Sequence, residues 1–292
     1  MKKGLLILLF GISQFTYSQE ETEVYLFDLV KKDSTIGIEN PINISNNEGY
    51  YDNQPSFLLD GSGILFTSTR NGQTDIALYN LENATMAWLT DTPGNEYSAI
   101  QSPSKKYFSA IYLDTTGTQR LWLYPFSKRT PKLLLENLEV GYYVWFDKRI
   151  VVSFVLGDPP TLEVSNLKYK IKYPIDKNIG RSLLKIPNSD LISMISYEHE
   201  DPEVYAINPV NSEKEYLADP LEGSQDIAWT PDGTMIMGKD DTLYKLKPSE
   251  DKSWIPFAHL NEFHLSGITR LAISPLGNKI TVVVSENKKN IP

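Results

Sequence analysis

The sequence contains no cysteine and only three histidines in 292 residues. Without cysteine there are no disulfide staples, no thiolate metal sites, no thiol nucleophile and no attachment point for a lipoprotein anchor. Nucleophile motifs of the G-x-S-x-G type are missing, and no glycine-rich phosphate loop opens a helix. Positive charge is in deficit as well: the formal net charge is −9. An acidic surface repels phosphate backbones, which argues against nucleic acid as a partner. Ser127-Lys128-Arg129 and Lys288-Lys289 are too small to reverse this and read as solvated loop charges.

Long apolar runs are scarce too. The run at residues 4–12 is about half the roughly 18 residues that a membrane span requires. It follows Lys2 and Lys3 and precedes a polar stretch ending Thr16-Tyr17-Ser18. That order is the one of a secretory signal, with cleavage expected between Ser18 and Gln19. Residues 1–18 are therefore expected to be a signal peptide and residues 19–292 a single domain, periplasmic or secreted and not membrane-spanning after cleavage. A mature part of about 270 residues is long enough to bury a sufficient core without disulfides. Loss of Lys2 and Lys3 takes the net charge to −11.

What the sequence has in abundance is a repeated strand cadence. In PSFLLDGSGILFTSTRNGQTDIALYNL (residues 55–81) an apolar run meets the turn Asp60-Gly61-Ser62-Gly63. The β-rich segment 64–69 follows, and Asn71-Gly72 then gives a hairpin signal, since both residues adopt the left-handed geometry of a type I′ turn. With residues 75–81 and 85–90 this makes four short antiparallel strands, a meander that needs neighbours to bury its faces. The third strand recurs as VYLFDL (24–29), IALYNL (76–81), LWLYPF (121–126), LEVSNL (162–167), VYAIN (204–208) and LYKLK (243–247). The first strand and its turn recur in IAWTPDG (227–233), LAISPLG (271–277) and IQSP (100–103), with worn copies at 144–148 and 184–188. A period of about 40 residues is the mark of stacked supersecondary units. The C-terminal end supplies two strands, 268–274 and 279–285, while the N-terminal end supplies a third and a fourth, 23–29 and 41–45. Joined, they make one blade and leave no open sheet edge. The expectation is an all-β, six-bladed β-propeller whose N-terminal strands complete the C-terminal blade.

These repeats, above all residues 55–90 and 227–257, resemble those of TolB-type six-bladed β-propellers. The resemblance covers nearly all of the expected mature chain, but only the propeller and not the N-terminal α/β domain of TolB. It implies an exported, non-catalytic propeller that binds a protein or peptide of the cell envelope at its channel mouth. The alternative is a propeller hydrolase or lyase acting on a lactone, ester or sugar, with a cation in the channel.

Loops that join the last strand of one blade to the first of the next should gather at one face: 46–54, 91–97, 137–143, 178–182, 219–226 and 258–267. Rigid scaffolds commonly carry function on such loops. Tyr51, Asp52, Glu96, Tyr97, Tyr142, Arg181, Asp226 and His264 are accordingly expected to border a common mouth. No catalytic residue or metal ligand is assigned. Asp52, Asn53, Glu96, Asn178 and Asp226 offer oxygen donors suited to calcium, and the same residue types also make ordinary turns. HLNEFH (259–264) brings two imidazoles and Glu262 together, in a spacing that matches no strong metal motif. Tyr50-Tyr51, Tyr97 and Tyr142-Tyr143 can serve either binding or packing, whereas Trp145, Trp229 and Phe57 share one strand position and read as inter-blade packing.

Overall fold

The computed structural model describes residues 20–32, 35–127 and 130–286. The expected signal at 1–18 and the charges at 128–129 and 288–289 lie outside these residues. Asn71 and Gly72 have φ of 51° and 80°, so the chain reverses in two residues and Arg70 pairs with Gln73. This hairpin joins the two middle strands of the first blade, whose strands from the centre outwards are Asp52–Phe57, Gly63–Arg70, Gln73–Asn80 and Thr85–Trp88. Four further four-stranded meanders follow, at residues 94–133, 140–177, 184–218 and 227–259.

The sixth blade is assembled from both ends of the chain. Ile268–Ile273 and Lys279–Ser285 form its inner half, and Thr22–Lys32 and Thr35–Asn43 its outer half. Tyr25 pairs with Val282 and Phe27 with Ile280 in an antiparallel register, so the ring is closed by main-chain hydrogen bonds. The outermost strand begins at Thr35, earlier than the expected 41. Among the described residues no helix is long and apolar enough to cross a membrane.

Each blade is apolar on both faces because each face meets a neighbour. The buried apolar side chains form six clusters among the described residues, one for every blade-to-blade interface. The cluster uniting Val24, Leu26 and Val283 with Ile64 and Phe66 seals the sixth blade to the first. Gly238 permits the close fit of the fifth and sixth blades: a Cβ there would come within 2.3 Å of Ile268 Cγ2. Trp145 and Trp229 occupy matching positions and donate Nε1–H to Ser109 and Ser193 of the preceding blades, at 2.8 and 2.9 Å. Phe57, at the same position, is buried.

Sequence periodicity misplaced the start of the inner strands. Residues 52–54, 94–97 and 140–143, expected as loop, belong to the strands Asp52–Phe57, Gly94–Gln101 and Val140–Trp145. Inner strands face the cavities along the axis, so polar residues continue along them and the usual apolar alternation disappears.

Candidate functional site

Four of the six inner strands are bulged near their beginnings, between Asn53 and Ser56, Tyr97 and Ile100, Val140 and Tyr142, and Ile268 and Arg270. A bulge inserts a residue and re-aims the next side chain. Gln54 and Ser98 take left-handed φ of 56° and 52° at two of these bulges. Downstream of the other two, Tyr142 and Arg270 reach into the axis.

There they meet. Arg270 of the sixth blade extends to Tyr142 of the third, the blade opposite in the ring. Its Nη2 donates to the Tyr142 hydroxyl at 3.1 Å, and its guanidinium carbon lies 5.2 Å from the centre of that ring. Arg270 Nη1 donates to Asp226 Oδ1 at 3.2 Å. Arg181 closes on the other oxygen, with Nε 3.1 Å from Asp226 Oδ2 and Nη2 on the same atom. Arg181 Nη2 also donates to the Thr269 carbonyl at 3.3 Å. Two guanidiniums thus share one carboxylate. Burial works against the Arg270 charge, but Asp226 and the tyrosines Tyr142 and Tyr51 outweigh it and hold the group protonated.

Arg181, Asp226 and Arg270 separate two cavities. On the side of the blade-joining loops lies an outer cavity of ≈ 790 Å³, walled also by Tyr51, Asn53, Glu222 and Lys239. On the other side is a channel cavity of ≈ 580 Å³ that runs along the inner strands to the turns at Pro187, Pro231 and Pro275. Both volumes fall in the range of small-molecule or side-chain sites. The Tyr51 hydroxyl is pushed up to about 12, chiefly by burial, with the nearby Arg270 and Arg181 opposing and Tyr142 and Tyr97 reinforcing. It is therefore a neutral donor at physiological pH.

The structure brings Tyr51, Tyr142, Arg181 and Asp226 together at this throat, with Tyr97 close by. Asp52, Glu96 and His264 are placed elsewhere. Asp52 and Glu96 are fully buried in their strands and line neither cavity. Burial pushes the Asp52 carboxyl to about 7, with Ser68 and Asn47 beside it opposing and Glu23 and Glu286 adding to the rise. Glu96 is likewise pushed to about 7 by burial, and the nearby Asp75 carboxylate adds to the effect. Glu96 Oε1 accepts from the Thr92 hydroxyl, and Oε2 has no hydrogen-bond partner among the described residues. His264 is exposed and ends a short 3₁₀ turn, Leu260–Phe263, in left-handed conformation (φ 61°). Of the tyrosine pairs, Tyr50 is exposed, and Tyr143 is core, donating to the carbonyls of Ser98 and Ser109 at 2.9 and 2.6 Å.

The oxygen donors considered for a cation do not assemble, since Asp226 is held by the arginines and Asp52 and Glu96 lie within the blades. Among the described residues no group of three or more histidine, cysteine, aspartate or glutamate side chains is placed to hold a metal ion. Arg270 was missed from the sequence. Its signal was a charge inside ITRLAI, a first-strand segment otherwise built of apolar and small residues.

A protein of Agrobacterium tumefaciens assigned as a TolB aligns with a TM-score of 0.69 at 12% identity, over 92% of this chain and 99% of that one. The fold is that of the TolB propellers. TolB from Acinetobacter baumannii aligns at 0.56 and 13% identity, over 91% of this chain and 64% of its own length. An oligogalacturonate lyase from Vibrio parahaemolyticus aligns at 0.55 and 13%, over 92% and 99%. No protein-family model matches the sequence, and no curated protein does. The TolB likeness at these identities is one of architecture, and the lyase shares that architecture.

Proposed function

We propose that the protein is an exported, non-catalytic propeller that binds a protein or peptide of the cell envelope at its channel mouth. The observation that carries this reading is the state of Asp226. It is the carboxylate at the throat, and it is engaged on both oxygens by guanidiniums. A carboxylate so held is a poor general base, whereas arginines and neutral tyrosine hydroxyls are donors that grip a ligand. Export rests on the order of charge, apolar run and small residues in 1–18, and the envelope on the TolB architecture.

The second reading, a hydrolase or lyase with its centre in the channel, is favoured by the shared architecture of the oligogalacturonate lyase. One experiment separates the two. The protein is used as bait against a periplasmic fraction, beside Tyr142→Phe, and is assayed on oligogalacturonate and lactone substrates. Specific capture that Tyr142→Phe weakens is the expected result. Turnover of either substrate, with no partner captured, would overturn the binding reading.

A further inference from the structure

Ten N–H donors sit on the two throat guanidiniums, five on each. Among the described residues they make five hydrogen bonds: three to Asp226, one to the Thr269 carbonyl and one to the Tyr142 hydroxyl. Both side chains form part of the walls of both cavities, so the remaining donors face space that a ligand can enter. The charge is also unbalanced. Two cations face one anion, and Lys185 adds a third cation to the channel wall. This is the electropositive interior of a chain whose net charge is −9.

The lip of the outer cavity has the opposite sign. Glu20, Glu222 and Asp240 stand there against Lys239, and Lys239 is spent on Glu222 at 3.5 Å. The funnel is therefore negative at its entrance and positive at its floor. Such a field draws in a group with an anion at its tip and a cation behind it.

We infer that Arg181 and Arg270 form a carboxylate-binding site that takes the C-terminal carboxylate of a peptide entering through the outer cavity, with a basic residue just behind it. Arginine forks match a carboxylate with two parallel hydrogen bonds, and an incoming anion completes the neutralisation that Asp226 begins. The low dielectric of the throat strengthens both effects. A polyuronate presents further carboxylates to the acidic lip and is disfavoured there. This inference rests on the peptide-binding reading and names the chemical group that the site selects.

The test is calorimetric titration of the full chain with acetyl-Gly-Lys-Ala, as the free acid and as the C-terminal amide, and with trigalacturonate. The free acid should bind, the amide at least about tenfold more weakly, since a charge-assisted hydrogen-bonded pair is lost. Salt should weaken the free acid more than the amide, and Arg181→Gln should abolish the preference. Equal binding of acid and amide, tighter binding of trigalacturonate, an unsaturable titration with the free acid, or an Arg181→Gln variant that keeps the preference would each overturn the inference. The acid–amide comparison uses the unmutated protein and does not depend on a variant folding. An envelope partner captured equally by wild type and Arg181→Gln would sink the carboxylate site and leave the binding reading standing. Preference for the free acid with no captured partner would do the reverse.

Discussion

On the flank where the sixth, first and second blades meet, the carboxylates of Glu23, Asp52, Asp75 and Glu96 are all buried. At the throat, Arg181 and Arg270 close on Asp226, and all three side chains are largely enclosed. Asp52 and Glu96 lie on inner strands and Glu23 and Asp75 on third strands, and flank and throat meet the cost of burying charge differently. Asp75 is paired with Arg70 at 2.8 Å, and Glu23 accepts from the Ser45 hydroxyl and the Asn47 N–H. Among the described residues neither Asp52 nor Glu96 is paired with a cation, and burial pushes each of them to about 7. Below about pH 7 Asp52 and Glu96 thus lower the charge of the flank by holding protons, whereas the throat keeps its charges and balances them incompletely. Protonation suits groups that only need to be buried. Retained charge suits a surface that meets a ligand.

The comparison collapses altogether if the ring opens. Deleting residues 20–46 removes the outer half of the sixth blade and exposes the Lys279–Ser285 edge, with the cluster that seals it to the first blade. The expected product is aggregated or molten, checked by size exclusion and near-UV circular dichroism. A monomer with an unchanged melting temperature would show that closure does not hold the ring together.

A smaller break is Asp226→Ala, which leaves two guanidiniums facing each other without their anion. Removing one partner of an enclosed ion pair costs about 3 kcal/mol, read from urea midpoints. The loss should be the same at pH 5 and pH 8, because arginine does not titrate in that range.

The flank should behave in the opposite manner. Asp52 and Glu96 have native pKa values above the unfolded range, so the native state binds more protons between about pH 4 and 7. Stability is therefore highest below that window and falls as pH rises through it, by up to ~4 kcal/mol for Asp52 and ~3 kcal/mol for Glu96. Asp52→Asn and Glu96→Gln should each flatten part of that slope, being nearly neutral below about pH 4 and increasingly stabilising relative to wild type as pH rises to about 7. Equal slopes in wild type and both variants would show that these carboxyls do not carry the protons.

The smallest expected effect separates core from site. Trp229→Phe removes the Nε1–H bond to Ser193 and trims the indole to a phenyl ring, at a cost of about 1–2 kcal/mol. Carboxylate binding at Arg181 and Arg270 should be unaffected, since Trp229 lies in the channel wall beyond the throat and takes no part in the outer cavity.

Much of the architecture was legible in the sequence because it rests on local rules. Asn71-Gly72 sets its own turn, the Trp-Thr-Pro-Asp-Gly segment at 229–233 ends an inner strand, and the two half-blades at the chain ends add up to one. Parts of the site were legible for the same reason: Tyr51, Tyr142, Arg181 and Asp226 stand where the chain enters an inner strand. Asp52 and Glu96 were misread because a polar residue before an apolar strand looks the same whether it faces the axis or lies between blades. The bulges decide that, and a bulge depends on which strand lies opposite.

The sequence by itself determined the number of blades, the position of the turns and the completion of the sixth blade by the N-terminal strands, since strand period and turn chemistry act over a few residues. Only the tertiary structure decided that Arg270 reaches the throat, that one tyrosine of each pair turns towards the axis, and that two arginines share one aspartate. Arg270 and Tyr142 are 128 residues apart. Their contact exists because closing the ring brings opposite blades to a common axis, and no local pattern encodes what faces a residue across it.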